Sequence, residues 1–301
     1  MKRKKDYITI HNNKDQIIKL LEELVVQPRV KAHEWSDLTK QSPALKIGYI
    51  GQYLASLVLG MEGSRSAARG MDIVDGTEVK TCYKVDQVDE CKVCGHRVMR
   101  SESECPSCQS SDILRRNDSK WLFSVRNEEE LKNLENTNRI LLTLFDFPNF
   151  EEGDYSDIRI ESFEIYPKNK RMSHFKEMLE RHYYKSYLPK IKADQKANPM
   201  NLHPHSLDFY LCNPIKVFSA IIKNVDSPKY KIDIKKYITP RTNRTNLPSV
   251  DMPISILYKK EKKALFDKLG VEVTEVNESQ RKFIQPRPYK PFKEKKTYKA
   301  K

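Results

Sequence analysis

What this 301-residue chain lacks narrows it first. No apolar run is long enough to cross a bilayer, and the chain opens on Met1-Lys2-Arg3-Lys4-Lys5 rather than on the apolar core of a secretory leader. A membrane role is therefore not expected, and a reducing compartment is. Acidic residues are also short: 41 Asp and Glu face 55 Lys and Arg, a formal net charge of +14. Such an excess attracts polyanions, although it also aids solubility. No internal repeat is evident. Of the six cysteines, Cys82 and Cys212 have no companion at metal-ligand spacing and read as ordinary thiols.

The apolar pattern that is present organises the chain. Its length permits one large domain or two modest ones. Residues 1–62 read as helical: positions 14–26 carry Ile17, Ile18, Leu20, Leu21 and Leu24 at helix spacing, and 44–59 form a second, more apolar helix ended by Gly60. Residues 63–166 have a mixed α/β pattern. Its sheet is expected to use 71–74, 77–85, 120–125, 139–147 and 158–166, with a helix over 128–136 capped by Asn127. From 167 to 301 the chain is more basic. A long amphipathic helix over 170–192 presents Phe175, Met178, Leu179 and Tyr183 as a core or dimer face. From Arg281 to Lys301 nine Lys or Arg stand against Glu294 alone, among prolines and aromatics. This is the composition of an extended tail that wraps a duplex or a partner, or is simply solvated.

The densest chemistry lies at Met71-Asp72-Ile73-Val74-Asp75-Gly76-Thr77-Glu78-Val79-Lys80. Alternation along a strand sends Glu78 and Lys80 to one face and Val79 to the other. Asp75-Gly76 signals a turn of one of two types. A two-residue loop would set Asp72 opposite Val79, on the wrong face. A three-residue loop, Val74-Asp75-Gly76 with Gly76 left-handed, sets Asp72 opposite Glu78, and is the expected register. Paired carboxylates repel unless a cation sits between them, and Mg2+ suits one or two carboxylates plus a phosphate. Asp72, Glu78 and the Val79 carbonyl are the candidate Mg2+ ligands, and Lys80 would orient or deprotonate a water attacking phosphorus. The plain alternative is a solvated edge hairpin with alternating charges.

Downstream, Cys91-x2-Cys94-x10-Cys105-x2-Cys108 offers four soft thiolates with the loop length to close a tetrahedron around Zn2+. Gly95 and Pro106 fit tight knuckle turns, and the segment holds too few apolar residues to fold without metal. Two disulfides are the competing account, disfavoured by the expected compartment. A complete four-thiolate site is closed and therefore structural. Its flanking Lys92, Arg97, Arg100, Arg115 and Arg116 are candidate phosphate contacts.

Met71-Asp72 followed by Glu78-Val79-Lys80 resembles the PD-(D/E)xK nuclease signature, with Met71 at the usual proline. Residues 47–60 resemble the helix that precedes the core sheet in that family, where an acidic residue often supports the metal; here Gln52 and Glu62 are the nearest groups. Gly70-x-Asp72, Glu78-Val79-Lys80-Thr81, the four-cysteine insert and Trp121-Leu122-Phe123-Ser124-Val125 together look most like a MamI-type type II restriction endonuclease. That resemblance covers residues 45–165. It implies a restriction-endonuclease-like mixed sheet flanked by helices, with a catalytic core over 63–166 interrupted by a zinc ribbon over 91–118. It further implies Mg2+-dependent, sequence-specific double-strand cleavage leaving 5'-phosphate and 3'-hydroxyl ends, a homodimer, a cognate methyltransferase as genetic partner and a prokaryotic cytoplasmic setting.

Candidate DNA contacts are Arg65, Arg69, Arg241, Asn243 and Arg244. The last three lie in Pro240-Arg241-Thr242-Asn243-Arg244-Thr245-Asn246, where Arg suits guanine and Asn suits adenine, or where a polar loop needs no such role. Other nuclease signatures are incomplete: Tyr49-Ile50-Gly51 lacks its companion half, His174-x-Lys176 its second copy, and His11-Asn12-Asn13 its metal framework. Two alternatives stay open, a nuclease without sequence preference and a non-enzymatic zinc-ribbon DNA-binding protein.

Overall fold

A computed structural model describes residues 8–41, 46–65, 71–85 and 87–288. The chain divides into two compact units, Met1–Lys120 with Leu141–Glu164 and Lys216–Asn246, and Trp121–Ile140 with Ile165–Ile215 and Leu247–Lys301. In chain order the strands that matter are β1 (Thr77–Tyr83), β2 (Asp89–Cys91), β3 (Arg97–Val98), β4 (Ile113–Leu114), β5 (Trp121–Phe123), β6 (Arg139–Asp146), β7 (Ile158–Ile165), β8 (Met200–Leu202), β9 (Ile215–Lys223) and β10 (Lys231–Tyr237).

The first unit is built on a mixed central sheet of order β1-β6-β7-β9-β10. Strand β6 buries Ile140, Leu141, Leu142, Leu144 and Phe145 in succession, the continuous apolar run of a strand covered on both faces. Strand β1 is the sheet's edge. Against the sheet come α1 (Lys14–Leu21), a π turn (Glu22–Val26), α2 (Gln27–Thr39) and α3 (Ile47–Leu59). Pro28 lies directly after the π turn in a helix that runs on without a break, Val26 and Gln27 both keeping helical torsions, and the wider turn takes up the missing donor. The buried Asn13 amide donates to Leu57 O at 2.8 Å, fastening the start of α1 to the end of α3. Helix α3 stops at Gly60 (φ 65°), where a Cβ would meet the Thr9 carbonyl at 2.6 Å.

The packing of α3 on β1 is close because Gly51 has no side chain: a Cβ there would lie 1.7 Å from Thr81 Oγ1. The side of β1 that carries Thr81 therefore meets the helix, and alternation turns Glu78 and Lys80 to the other side.

Two expectations about the sheet change. Residues 71–74 form no strand; Ile73 makes a single antiparallel bridge with Gly63. Residues 121–123 do not join the central sheet; β5 pairs antiparallel with β8 in the second unit. The reason is aromatic: Trp121 stacks on Phe209 with centroids 5.8 Å apart, and Phe123 meets Phe175 edge-on at 5.2 Å, so both rings are buried among helices of their own unit. Strands β9 and β10, unforeseen, complete the central sheet.

In the second unit Asn127 caps α4 (Glu128–Glu135), its side chain accepting the Glu130 N–H at 2.8 Å. The expected long helix is continuous in course but varied in pitch: a 3-10 turn at Lys170–Met172, α5 (His174–His182), a π turn at Tyr183–Tyr187 and α6 (Leu188–Lys192). Its face of Phe175, Met178, Leu179 and Tyr183 is buried within the unit. The basic tail is anchored at its start: Arg281 is buried and donates to the Tyr210 carbonyl at 2.7 Å, and Arg287 lies 3.8 Å over the Tyr258 ring while pairing with Glu261. Residues 289–301 lie outside the described residues.

Candidate active site and metal centre

The turn that opens the site is the three-residue form. Gly76 N–H donates to Ile73 O at 3.0 Å and Ile73 N–H to Thr77 O at 3.2 Å, and Gly76 stands at φ 82°, the left-handed position that glycine adopts at no steric cost. Asp75 Oδ1 accepts both the Thr77 N–H (3.0 Å) and the Thr77 hydroxyl (2.6 Å). Asp75 is thus consumed in making the turn.

Asp72 is placed differently. Its Oδ2 accepts the Val79 N–H at 2.7 Å, and its Oδ1 accepts the Gln52 side-chain amide at 2.7 Å. Because β1 is an edge strand, the Val79 N–H has no neighbouring strand to bond, and a carboxylate takes that place. The N–H and C=O of one strand residue point to the same edge, so the Val79 carbonyl emerges beside Asp72. The segment before Asp72 is held in turn by Ser64 N–H to Asp72 O (3.0 Å) and Val74 N–H to Glu62 O (3.2 Å). Of the two groups considered for supporting Asp72, Gln52 is the one that touches it; Glu62 is exposed and contributes its backbone carbonyl to Val74 instead.

Glu78 and Lys80 are both partly buried and form an ion pair at 2.5 Å. Burial pushes the Glu78 carboxyl above its ordinary value; the adjacent Lys80 ammonium pulls it down by less, and Asp72 pushes it up. The edge therefore carries two carboxylates close enough to repel, a carbonyl and an ammonium. The carboxylates and the carbonyl are hard oxygen donors of the kind Mg2+ takes, and a divalent cation would offset the Asp72 repulsion that adds to burial in raising Glu78.

The four cysteines converge. Cys91, Cys94, Cys105 and Cys108 place their sulfurs within 4.8 Å of one another. The Cys91–Cys108 and Cys94–Cys105 sulfurs are 3.6 and 3.5 Å apart, against about 3.8 Å for two thiolates on a tetrahedral Zn2+ with bonds of about 2.3 Å. The knuckles repeat one geometry: Gly95 N–H donates to Cys91 O at 2.9 Å and Gln109 N–H to Cys105 O at 2.8 Å, with Gly95 and Gln109 both left-handed. The apolar cluster beneath the cysteines is Val98, Cys91 and Cys105 with a partly buried Ile113, too little to hold three short strands. The donor set fits zinc.

The ribbon's positive charge is largely spent internally. Asp89, fully buried, pairs with Arg100 (3.1 Å) and accepts from Arg115 (2.9 Å) and the Arg116 N–H (2.7 Å). Arg116 also pairs with Glu90, and Lys92 with Asp112, each at 2.7 Å. Of the five flanking cations expected to meet phosphate, Arg100 is buried and Arg97 is the exposed one without such a pair among the described residues. Arg244 is a second correction. It is buried, donating to Glu164 at 2.5 Å and to the carbonyls of Val58 and Ile238, so it closes the end of α3 and cannot reach a base. Arg241, Asn243 and Arg65 are exposed, and Arg69 lies outside the described residues.

An edge of a mixed sheet bearing aspartate, glutamate and lysine, under a helix whose glutamine grips the aspartate, is the arrangement of the restriction-endonuclease-like class. Residues 34–255 match the family described as MamI restriction endonuclease, and the chain belongs to that family. It is also 39% identical over 79 residues to the type II restriction enzyme MamI of Microbacterium ammoniaphilum, a stretch that covers 25% of this chain and 26% of that relative. No solved structure matches the chain significantly.

Proposed function

We propose that this protein is a Mg2+-dependent type II restriction endonuclease acting on double-stranded DNA at the Asp72, Glu78 and Lys80 edge. The observation that carries the proposal is the double anchoring of Asp72, by Val79 N–H and by Gln52, beside the partly buried Glu78–Lys80 pair. Asp72, Glu78 and the Val79 carbonyl would hold Mg2+, which when bound supplies a positive charge at the phosphoryl oxygen and favours ionisation of water. Val79 N–H and Gln52 fix the Asp72 carboxylate, so little orientation is left to lose when substrate arrives. Lys80 donates to Glu78 in the free protein and is positioned to orient the attacking water or take its proton. In-line attack would leave 5'-phosphate and 3'-hydroxyl ends.

Arg65 directly follows the segment bonded to Asp72, and Arg65, Arg69, Arg241 and Asn243 are the proposed DNA contacts. The four cysteines would hold a structural Zn2+. A homodimer would match the two-fold symmetry of a palindromic site, and a methyltransferase of the same specificity would protect host DNA. Plasmid incubated with protein and Mg2+ should yield discrete fragments, and Asp72→Ala and Lys80→Ala should bind DNA without cutting it. A smear would point to cleavage without sequence preference, and full activity in both variants would eliminate the mechanism.

A further inference from the structure

Helix α3 does more than pack on β1. Its outer ridge is Tyr49, Gln52, Tyr53 and Ser56, spaced i, i+3, i+4 and i+7, which the helical period stacks along one line. Gln52 on that ridge holds Asp72 at 2.7 Å, so the ridge borders the candidate active site rather than some remote surface. The two tyrosines beside it are 61% and 53% exposed, on a helix that buries Ile47, Ile50, Leu54 and Val58 on its other side. Lys46, one turn ahead of Tyr49, is exposed, as is Arg65 beyond the segment bonded to Asp72. Exposed cations therefore stand at the start of this ridge and just past the Ser64 backbone that bonds Asp72.

We infer that Tyr49 and Tyr53 form a DNA-backbone contact surface, their hydroxyls donating to phosphate oxygens flanking the phosphodiester held at Asp72. This rests on the nuclease assignment of the site and adds the helix that guides the duplex onto it. The chemistry favours a polyanion over an apolar partner. Each phenol pairs a ring that can cover a deoxyribose with a donor that phosphate accepts, and backbone contacts from tyrosine position a duplex without reading its sequence. Phosphates recur about every 3.4 Å along the axis of each strand, so a duplex seated at Asp72 presents several within reach of one 5.4 Å helical turn. These would be positioning residues rather than catalytic ones.

The test is gel-shift affinity for linearised plasmid DNA in Ca2+, which supports binding without turnover, alongside cleavage in Mg2+. The double variant Tyr49→Phe/Tyr53→Phe, which keeps both rings, should bind about tenfold more weakly. The effect should fall in KM rather than kcat, with the melting temperature unchanged. The Ala pair should be weaker still. Wild-type affinity in both double variants would overturn the inference. The two claims fail separately: a wild-type protein that binds but never cuts defeats the nuclease assignment, while tyrosine-dependent binding in that same assay would still uphold the surface.

Discussion

Glu78 shows how one residue's environment links chemistry to stability. Burial outweighs its pairing with Lys80, so its carboxyl titrates above the ordinary value of 4.5. A carboxyl whose folded value exceeds its unfolded one contributes stability that is full below the unfolded value and lost as pH rises through the folded value. Without metal, Glu78→Gln should therefore melt higher than wild type near neutral pH. That advantage should vanish as the pH falls below the ordinary carboxylate range, and cleavage should be abolished throughout. Thermal melts in EDTA across a pH series check this; a lower melting temperature for Glu78→Gln at neutral pH would mean the Lys80 pairing dominates. Asp75 teaches the complementary lesson, since its carboxylate lies three residues from Asp72 but is committed to Thr77.

At the scale of elements, the contact of α3 with β1 governs the site. Two glycines on that helix sit in opposite surroundings. Gly51 meets Thr81 so closely that a methyl would overlap its side chain, whereas Gly48 has nothing within 4 Å. Gly51→Ala should destabilise by about 1–3 kcal/mol through overpacking, and should reduce cleavage because Gln52 is carried away from Asp72. Gly48→Ala on the same helix should stabilise by about 0.5–1 kcal/mol, since alanine is the better helix former. Denaturant melts of the pair decide whether the close approach, rather than helix propensity, sets the position of Gln52. The turn Val74-Asp75-Gly76 is the second governing element, because its length brings the Asp72 carboxylate to the Val79 N–H while Asp75 stays in the turn.

At the scale of the molecule, the zinc ribbon is built into the first unit rather than hung from it. Asp89 gathers Arg100, Arg115 and the Arg116 backbone, and Arg100 lies 5.0 Å over the Phe150 ring from the loop after β6. Metal content should therefore matter to the unit as a whole. Purified protein should carry one equivalent of zinc. Cys94→Ser should fall well below that and melt at lower temperature, as read by elemental analysis and calorimetry. A full equivalent retained in Cys94→Ser would defeat the four-thiolate assignment. The ribbon's cations are correspondingly less available than their number suggests. Lys92, Arg100, Arg115 and Arg116 pair with Asp112, Asp89 and Glu90, which leaves the surface near Asp72 as the better candidate for phosphate.

Local rules were enough for what depends on near neighbours. Alternation along 77–83, the Asp75-Gly76 turn, the Asn127 cap, the Gly60 stop and the two Cys-x2-Cys knuckles are set by residues a few positions apart, and spacing alone determines them. The candidate site was legible for the same reason, because Asp72 and Glu78-Val79-Lys80 flank one three-residue turn. Tertiary structure decided whatever depends on distant partners. The sequence could not say that Trp121 and Phe123 would find Phe209 and Phe175 and leave the central sheet. Nor could it say that Arg244 would be drawn inward by Glu164, or that Gln52 rather than Glu62 would reach Asp72. Each outcome turns on burial, and burial is a property of the packed chain: a charged or aromatic side chain has the same local preferences whether it ends in solvent or against a partner many residues away.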